Sequence, residues 1–285
     1  MRSAHNVPVL MYHHVSPNQG SITASPEHFE AHMAWLAKNG YRSLTTAEFA
    51  GHLAGRSVPD KSVLITFDDG YLDNWVYAHP ILKRYGLHAV MFLVTGWAGD
   101  GPVRPCLGES ADLPAAPAHP QCKPMIDSGR ADEVIVRWSE VDAMLAAGTF
   151  EIHSHTHTHT RWDKVCTSVT EKRDRIAEEF TLSRMTLQRR LGGVSSHLCW
   201  PQGYFDADYV ELAQEAGFDH LYTTDAFGQN IVGHDPLHIH RFAVSDRSAA
   251  WLGRRTRLAA DPVWGPLFNR WKRWKKERRA ARKAG

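Results

Sequence analysis

Two adjacent carboxylates, Asp68 and Asp69, follow the apolar and β-branched residues 63–66 and Phe67. A run of this kind before Gly70 predicts a buried strand that delivers both acids at its carboxyl end. Two carboxylates this close do not both stay ionised without a positive neighbour, which favours a metal ion bound by one acid, with the other free as a base. Asp-Asp-Gly is equally typical of an ordinary turn, and these residues alone do not decide between the two.

Four histidines at alternate positions, His153, His155, His157 and His159, favour the metal. Neutral imidazole is the commonest ligand of divalent transition metals, and two histidines with one carboxylate leave positions open for water and substrate. The spacing allows two pairs, His155 with His159 or His153 with His157. A histidine-rich surface loop is the alternative, and the acid pair after an earlier strand argues against it.

Strand and helix signals alternate about seven times, which predicts a parallel α/β architecture. Acids and histidines at several strand ends favour a barrel over an open sheet. The predicted strands cover residues 7–12, 63–67, 89–94, 149–153, 197–200, 220–223 and 238–244. The predicted helices cover residues 25–40, a short stretch from Thr45, and residues 73–85, 139–148, 170–191 and 206–217.

The segment 97–137 is rich in Gly, Pro and Cys and shows no hydrophobic periodicity. A segment this long without regular structure is usually functional inside a domain, so we expect a wall or lid over the site. We expect residues 1–250 to form one domain that carries this segment as a loop insertion. Residues 251–285 are expected to form a basic amphipathic tail.

With these motifs in this order, the chain resembles the polysaccharide deacetylases of the NodB-homology type, carbohydrate esterase family four. Residues 66–70 match the family's first motif, Thr-Phe-Asp-Asp-Gly, and residues 155–159 match the second, which selects His155 and His159. The third motif, a turn that lines the acetyl pocket, is resembled by Trp200, Pro201, Gln202, Gly203 and Tyr204. The resemblance spans about residues 7–245. It implies an α/β fold, a deformed (β/α)7-type barrel.

Two departures from the family pattern concern the groups around the base. No arginine stands before Trp200, where the family often has one that orients the base. The fifth motif, Leu-x-His, is matched only loosely by residues 237–240. A permuted branch that includes poly-N-acetylglucosamine deacetylases opens instead with Tyr-His, as Tyr12-His13 does here. The resemblance therefore implies His13 as general acid, with His240 as the fallback, whereas a hydrogen-bonded strand-end histidine is the structural alternative for His13.

The resemblance also implies a ligand set and a reaction. Asp69, His155 and His159 would hold one divalent metal ion, zinc or alternatively cobalt, nickel or manganese. Asp68 would be the general base, and a backbone N–H in the turn at residues 201–203 would stabilise the oxyanion. The reaction removes an N-acetyl or N-formyl group from an amino sugar in a polysaccharide or lipid-linked glycan. Candidate sugar-stacking side chains, each of a type more often found in a core, are Trp200, Tyr204, Trp97 and Trp75.

Two of the alternative functions concern the same site. One is a catalytically silent glycan-binding relative, against which the intact acids and histidines argue. The other is a different metal-dependent amidohydrolase, which would normally want further ligands such as a carbamylated lysine.

The formal net charge of +2 conceals a basic C-terminal segment. From Arg270 onward there are nine basic residues and one acid, a net of +8, which leaves −6 for residues 1–269. Leu267, Phe268, Trp271 and Trp274 recur at helical spacing and predict an amphipathic helix. We expect peripheral contact with anionic lipid, and a helix docked on the acidic body is the alternative. An acidic body with a basic tail argues against a nucleic-acid partner, and nucleic-acid binding by the tail is an alternative that salt-dependent binding to DNA would test.

The N-terminal residues lack the apolar core of a signal peptide, and no apolar run is long enough to span a membrane. We therefore expect a cytoplasmic protein that contacts the inner face of the cell membrane. In that reducing compartment the four cysteines are expected to be free thiols. A bridge between Cys106 and Cys122 is the alternative for an exported protein.

Overall fold

The computed structural model describes residues 3–284, with side chains described up to Arg278. The strands in chain order are β1 Val9–Tyr12, β2 His14–Val15, β3 Thr23–Ala24, β4 Arg42–Ser43, β5 Ser62–Asp69, β6 Ala89–Leu93, β7 Phe150–Ser154, β8 His197–Cys199, β9 His220–Tyr222 and β10 Phe242–Ala243. The α-helices are α1 Pro26–Lys38, α2 Thr46–Leu53, α3 His79–Tyr85, α4 His119–Asp127, α5 Trp138–Ala146, α6 Trp162–Val165, α7 Val169–Leu191, α8 Ala207–Glu215, α9 Ala249–Ala260 and α10 Trp264–Ala284.

Seven parallel strands form one curled sheet in the order β10-β1-β5-β6-β7-β8-β9, and β4 pairs with the start of β5. The two ends of this path approach each other, because Thr223 N–H donates to the carbonyl of Ile239 at 3.0 Å, just before β10. The carboxyl ends of parallel strands meet at one edge, so residues that follow β5, β7 and β8 converge there. The predicted (β/α)7-type barrel is confirmed.

The alternation of residues along β5 explains which side chains face the interior of the barrel. Val63, Ile65 and Phe67 belong to the outer core beneath α1, α3 and α5, whereas Leu64 belongs to the inner core. Successive strand residues point to opposite faces, so Asp68 falls on the interior side together with Leu64. The strand thus carries an acid into the barrel at its carboxyl end.

Most predicted helix boundaries are confirmed by the caps that the structure shows. Ser25 accepts from the backbone N–H of His28 at the start of α1, and Thr45 with Glu48 forms a capping box at α2. Gly86 ends α3 with a left-handed φ of 60°. The first turns of the helix predicted from residue 73 are a π-helix, Asn74–Ala78, which continues into α3.

Three predictions of local structure are wrong. The segment 97–137 is not without regular structure, since it contains α4 and a short 3₁₀ turn, Ala131–Glu133. The N-cap of α5 is Arg137 rather than Ser139, whose hydroxyl donates to the carbonyl of Gly101 instead. The strand predicted over residues 238–244 is reduced to the two residues of β10.

Helix α9 was not predicted separately, and the boundary expected after residue 250 falls inside it. Its Leu252 is buried in the outer core, and α9 packs against α1. The four cysteines are free thiols. Within residues 3–284 no helix combines the length and the apolar character needed to cross a membrane.

Candidate metal and active site

The end of β5 delivers two carboxylates to one place through an unusual backbone turn. Asp68 points into the barrel by strand alternation, and Asp69 has a left-handed φ of 74°, which carries its side chain to the same side. Only three other non-glycine residues of the described chain have a positive φ, and all lie in the motifs recognised from the sequence: Thr156, His159 and Gln202. Such backbone strain is characteristic of functional sites.

Asp69, His155 and His159 come together at the carboxyl ends of β5 and β7. The Nε2 atoms of both histidines lie 3.4 Å from Oδ1 of Asp69. That oxygen is buried and has no hydrogen-bond partner among the described residues. Burial alone would raise the pKa of Asp69, but the two histidines hold the pKa well below its usual range, so the carboxylate stays ionised.

The hydrogen bonds of His155 identify which nitrogen is free to bind a metal. Nδ1 of His155 lies 2.8 Å from the carbonyl oxygen of Cys199, which only accepts, so Nδ1 carries the hydrogen. In the neutral ring Nε2 then has a free lone pair, and it faces the unpaired oxygen of Asp69. Burial alone would lower the pKa of His155, but Cys199 and Asp69 raise it well above its usual value, so without a cation Nε2 carries a proton toward Asp69. A divalent metal ion would take the place of that proton, so these residues fit a divalent metal site.

A second set of possible ligands, Asp68, His155 and Cys199, shares one histidine with this group. Asp68 is already engaged, because Oδ1 accepts from Nη1 of Arg241 at 2.6 Å and Oδ2 accepts from Nη2 at 2.8 Å. An arginine fork that occupies both oxygens leaves Asp68 poorly available as a ligand. Asp69, His155 and His159 are therefore the better candidate set of metal ligands.

Arg241 is the site residue that the sequence analysis missed. It lies just before β10 and is fully buried, and it takes the place of the arginine that the family pattern led us to seek before Trp200. Burial alone would raise the pKa of Asp68, but the charge and hydrogen bonds of Arg241 lower it, so Asp68 is ionised at neutral pH. A single arginine in an apolar strand segment was the available signal, since buried arginines are almost always paired.

His13 lies inside the site, whereas the fallback acid His240 does not. Nε2 of His13 is 3.7 Å from Oδ2 of Asp68. His240 lies instead against Asp225, with Nδ1 3.5 Å from Oδ2 of that residue. Burial lowers the pKa of His13, and the charges of Asp68 and Asp69 offset this only in part.

The other two histidines of the alternating set lie away from Asp69. His153 contacts Thr46 and Ser195 by hydrogen bonds and lies near Glu151. Nδ1 of His157 is 2.9 Å from the hydroxyl of Thr95. The structure therefore brings together the pair selected by the family motif, and not the alternative pair.

The third motif forms a tight turn after β8. Gln202 has a left-handed φ of 54°, and a Cβ on Gly203 would lie 2.1 Å from Oγ1 of Thr224, so only glycine fits there. The prediction that Trp200 contacts the sugar is wrong. Its ring is fully buried and stacks on Phe205, so no substrate reaches it.

The remaining aromatic candidates fall into two groups. Trp75 is buried and stacks on His79, which makes it a core residue. Tyr204 is partly exposed beneath the guanidinium of Arg161, and the ring of Trp97 lies 5.4 Å from that of His159. Tyr204 and Trp97 remain candidate sugar contacts.

The insertion 97–137 contacts the residues that follow His13 and Gly70, and the wall or lid expected from the sequence stays a prediction. His119, at the start of α4, places Nδ1 3.2 Å from Nε2 of His14 and 3.4 Å from the hydroxyl of Tyr71. His14 is held in turn by Asp73, with Nδ1 2.6 Å from Oδ2. This chain of side chains was not predicted, because nothing in the local pattern connects residue 119 with residue 14.

A barrel with one carboxylate and two histidines at the carboxyl ends of its strands is typical of metal-dependent hydrolases. Residues 55–221 match the family model described as polysaccharide deacetylase. The chain therefore belongs to the polysaccharide deacetylase family. The matched residues include both acids and both candidate metal-ligand histidines but exclude His13 and Arg241.

Curated relatives match over shorter segments. YxkH of Bacillus subtilis, named as a polysaccharide deacetylase, is 47% identical over 89 residues, which cover 31% of this chain and 32% of that protein. The poly-β-1,6-N-acetyl-D-glucosamine N-deacetylase of Staphylococcus aureus is 35% identical over 82 residues, or 28% of each chain. The matches thus span about a third or less of these relatives.

The solved structure of IcaB from Ammonifex degensii has a similar fold over almost the whole length of this chain. The two structures align with a TM-score of 0.68 and 22% identity, and the alignment covers 93% of this chain and 98% of IcaB. At this identity the alignment supports the fold alone.

Proposed function

We propose that the protein is a metal-dependent hydrolase that removes an N-acetyl group from an amino sugar in a glycan. One observation carries the proposal: the two adjacent acids have opposite surroundings. Asp69 presents an unpaired oxygen to two histidines, whereas Asp68 is held by Arg241 and stays off that group. One ligand and one free base are what a metal-assisted amide hydrolysis requires.

Asp69, His155 and His159 would hold the ion, for which zinc, cobalt, nickel or manganese fits this donor set. When bound, the ion supplies a Lewis acid and lowers the pKa of water. Asp68 accepts a proton from the attacking water, and Arg241 fixes the orientation of its carboxylate at 2.6 and 2.8 Å. His13, 3.7 Å from Asp68, is positioned to pass that proton to the leaving amine.

The turn after β8 offers a donor for the oxyanion. The N–H of Gly203 donates to the carbonyl of Trp200 at 2.9 Å, and the N–H of Tyr204 donates to that of Pro201 at 3.2 Å. Both are used within the turn, which makes the N–H of Gln202 our candidate donor. Its left-handed backbone is the feature that supports this assignment.

The substrate class is supported by the relatives and by the partly exposed aromatic rings. The Staphylococcus aureus relative is named for poly-β-1,6-N-acetyl-D-glucosamine. Trp97 supplies a partly exposed ring beside His159 on which a sugar can stack, and Tyr204 supplies a second partly exposed ring in the turn after β8. We propose an N-acetylated glycan, polymeric or lipid-linked, as substrate, with an N-formyl group as the alternative acyl group.

Mass spectrometry of β-1,6-linked N-acetylglucosamine oligomers after incubation with the metal-loaded protein tests the proposal. We expect products that have lost one acetyl group, with stoichiometric acetate release, and no product from Asp68→Asn. Asp225→Asn, a surface acid with two histidine neighbours, is the matched control and should keep full activity. Metal-loaded protein that binds the oligomers but leaves N-acetyl and N-formyl forms intact would support the silent glycan-binding alternative instead.

A further inference from the structure

The outer face of α10 exposes large apolar side chains. Trp264 is 65% exposed, Leu267 52%, Trp271 45% and Trp274 48%. These residues recur at intervals of three and four, so they lie on one side of the helix. Exposed apolar residues that form a continuous face, rather than single sites, indicate an interaction surface.

The opposite side of α10 packs on the body and fixes this orientation. Gly265 lies so close to the carbonyls of Leu258 and Ala259 that a Cβ there would be 2.8 Å from the first oxygen. Asn269 is buried and donates its side-chain amide to the carbonyl of Gly228 at 3.0 Å. An amphipathic helix of a globular protein normally turns its apolar side inward, and here the apolar side faces outward. The docked helix considered from the sequence is thus present, but it docks through a different face.

Cations border the apolar face and sit on its aromatic rings. Nζ of Lys275 lies 3.9 Å from the ring centroid of Trp271, and the guanidinium of Arg278 lies 4.7 Å from that of Trp274. Arg270 is exposed beside them. Tryptophan with adjacent Lys and Arg is the combination suited to the headgroup level of an anionic bilayer, where rings enter the interface and cations meet lipid phosphates.

We propose that α10 is a membrane-docking helix that lies in the plane of an anionic lipid surface, with its outer face in the interface. The backbone N–H groups of Val263 and Trp264 both donate to Oδ1 of Asp261, which caps the helix and starts the exposed face at a fixed place. The inference does not rest on the proposed catalytic activity. It would place the site beside glycans that are attached to, or assembled at, a membrane, and the cytoplasmic leaflet expected from the sequence stays a prediction.

A second copy of the chain is a less suitable occupant of this face. A symmetric contact between two α10 helices would bring the cations at Arg270, Lys275 and Arg278 of each copy against one another. An anionic bilayer neutralises the same cations while it covers the tryptophans. Charge complementarity therefore favours lipid.

Co-sedimentation of the full-length protein with vesicles tests the proposal. We expect binding to vesicles of phosphatidylcholine with phosphatidylglycerol and weak binding to phosphatidylcholine alone. The triple variant Leu267→Ala, Trp271→Ala, Trp274→Ala should lower the partition coefficient on anionic vesicles by about tenfold or more. Arg270→Gln, Lys275→Gln, Arg278→Gln should lower it similarly and reduce the preference for anionic lipid.

Two control variants each carry three substitutions of exposed residues outside α10. Val165→Ala, Val169→Ala, Met185→Ala removes exposed apolar side chains, and Lys38→Gln, Lys83→Gln, Lys164→Gln removes three exposed charges. Both should bind vesicles like wild type, and every variant should keep the wild-type thermal midpoint. Wild-type protein that stays in the supernatant with anionic vesicles would overturn the proposal. A dimer in light scattering that the tryptophan variant dissociates, without any effect on vesicle binding, would assign the face to a second copy.

Discussion

The part of the chain that the structure describes contains two groups of one aspartate and two histidines with almost the same distances between the histidine nitrogens and a carboxylate oxygen. In the interior cluster, Asp69, His155 and His159, both histidine nitrogens lie 3.4 Å from one carboxylate oxygen. In the surface cluster, Asp225, His238 and His240, the corresponding distances are 3.4 and 3.5 Å. On residue type and distance alone the two clusters are equally able to hold a metal ion.

Their surroundings separate them. The carboxylate of Asp225 is only partly buried, accepts from the backbone N–H of Phe227 at 2.9 Å, and lies 3.6 Å from Nη2 of Arg273. The nearest oxygen of Asp69 is buried and has no hydrogen-bond partner among the described residues. A satisfied carboxylate beside an arginine does not need a cation, and an unsatisfied buried one does. Burial and unmet hydrogen bonding therefore favour the interior cluster as the metal site, whereas the distances between ligand atoms do not separate the two clusters.

The largest expected effect on turnover is that of replacing Asp68, the acid beside the interior cluster, and it is compared with replacement of Asp225 in the surface cluster. Asp68→Asn should lower kcat on the order of 10²-fold or more, because the amide cannot accept the proton of the attacking water. Metal content should be unchanged, since Asp68 is held by Arg241 and not by the ion. Steady-state kinetics with metal analysis of the same samples measures both, and Asp225→Asn is the control. Near-normal turnover in Asp68→Asn would remove this residue from the mechanism.

The second effect compares one histidine from each region. His13→Ala should lower kcat by about tenfold to a hundredfold with metal retained, because no group then delivers a proton to the leaving amine. His240→Ala should leave kcat almost unchanged, since its ring contacts Asp225 rather than Asp68. Side-by-side kinetics of the two variants decides the assignment. A loss confined to His240→Ala would move the general acid to the segment before β10.

A third, smaller difference in kcat is expected between variants of the arginines beside the two clusters, Arg241 and Arg273. Arg241→Lys keeps the charge next to Asp68 but cannot bind both carboxylate oxygens, so we expect kcat to fall about tenfold as the base loses its orientation. Arg273→Lys beside Asp225 should have no effect on kcat. Equal kinetics for wild type and both variants would show that the fork on Asp68 is structural only.

The last prediction concerns stability rather than turnover, at His32, a buried histidine whose hydrogen-bond partners are protein groups outside both clusters. Nε2 of His32 donates to the carbonyl of Arg247 at 2.7 Å, and Nδ1 lies 3.1 Å from the hydroxyl of Tyr12. Burial lowers the pKa of His32 from 6.5 to about 4, so the neutral ring stabilises the fold above pH 6.5 and this stability is lost as the pH falls through 4. The shift corresponds to up to about 3 kcal/mol.

His32→Gln can keep both hydrogen bonds without titrating, so its free energy of unfolding should fall less than that of wild type between pH 6.5 and 4. Chemical denaturation at each pH, with a chelator present so that metal loss does not contribute, gives the comparison. Parallel loss of stability in the two proteins would contradict the assigned role of His32.

Local patterns in the sequence were sufficient for the elements that place the interior cluster. The apolar run before Asp68, the capping box at Thr45 and Glu48, and Gly86 at the end of α3 each depend on residues a few positions apart. Adjacent motif residues likewise selected His155 and His159, the two histidines that the structure places against Asp69. These features follow from short-range rules of hydrogen bonding and side-chain alternation.

Long-range contacts were beyond the reach of the same rules. Arg241 pairs with Asp68 across 173 positions of the chain, and His119 meets His14 across 105. The insertion 97–137 folds because its apolar residues, such as Cys122 and Ile135, are buried in the outer core, although their spacing has no helical or strand period. The fully buried ring of Trp200 also depends on tertiary packing that the motif does not show.

Metal analysis of wild type, His159→Ala and His238→Ala tests the central claim most directly. The two variants remove one histidine from the interior cluster and one from the surface cluster. We predict about one equivalent of bound divalent metal for wild type and for His238→Ala, and loss of that equivalent in His159→Ala. Metal that survives in His159→Ala but disappears in His238→Ala would contradict the account and assign the ion to the surface cluster.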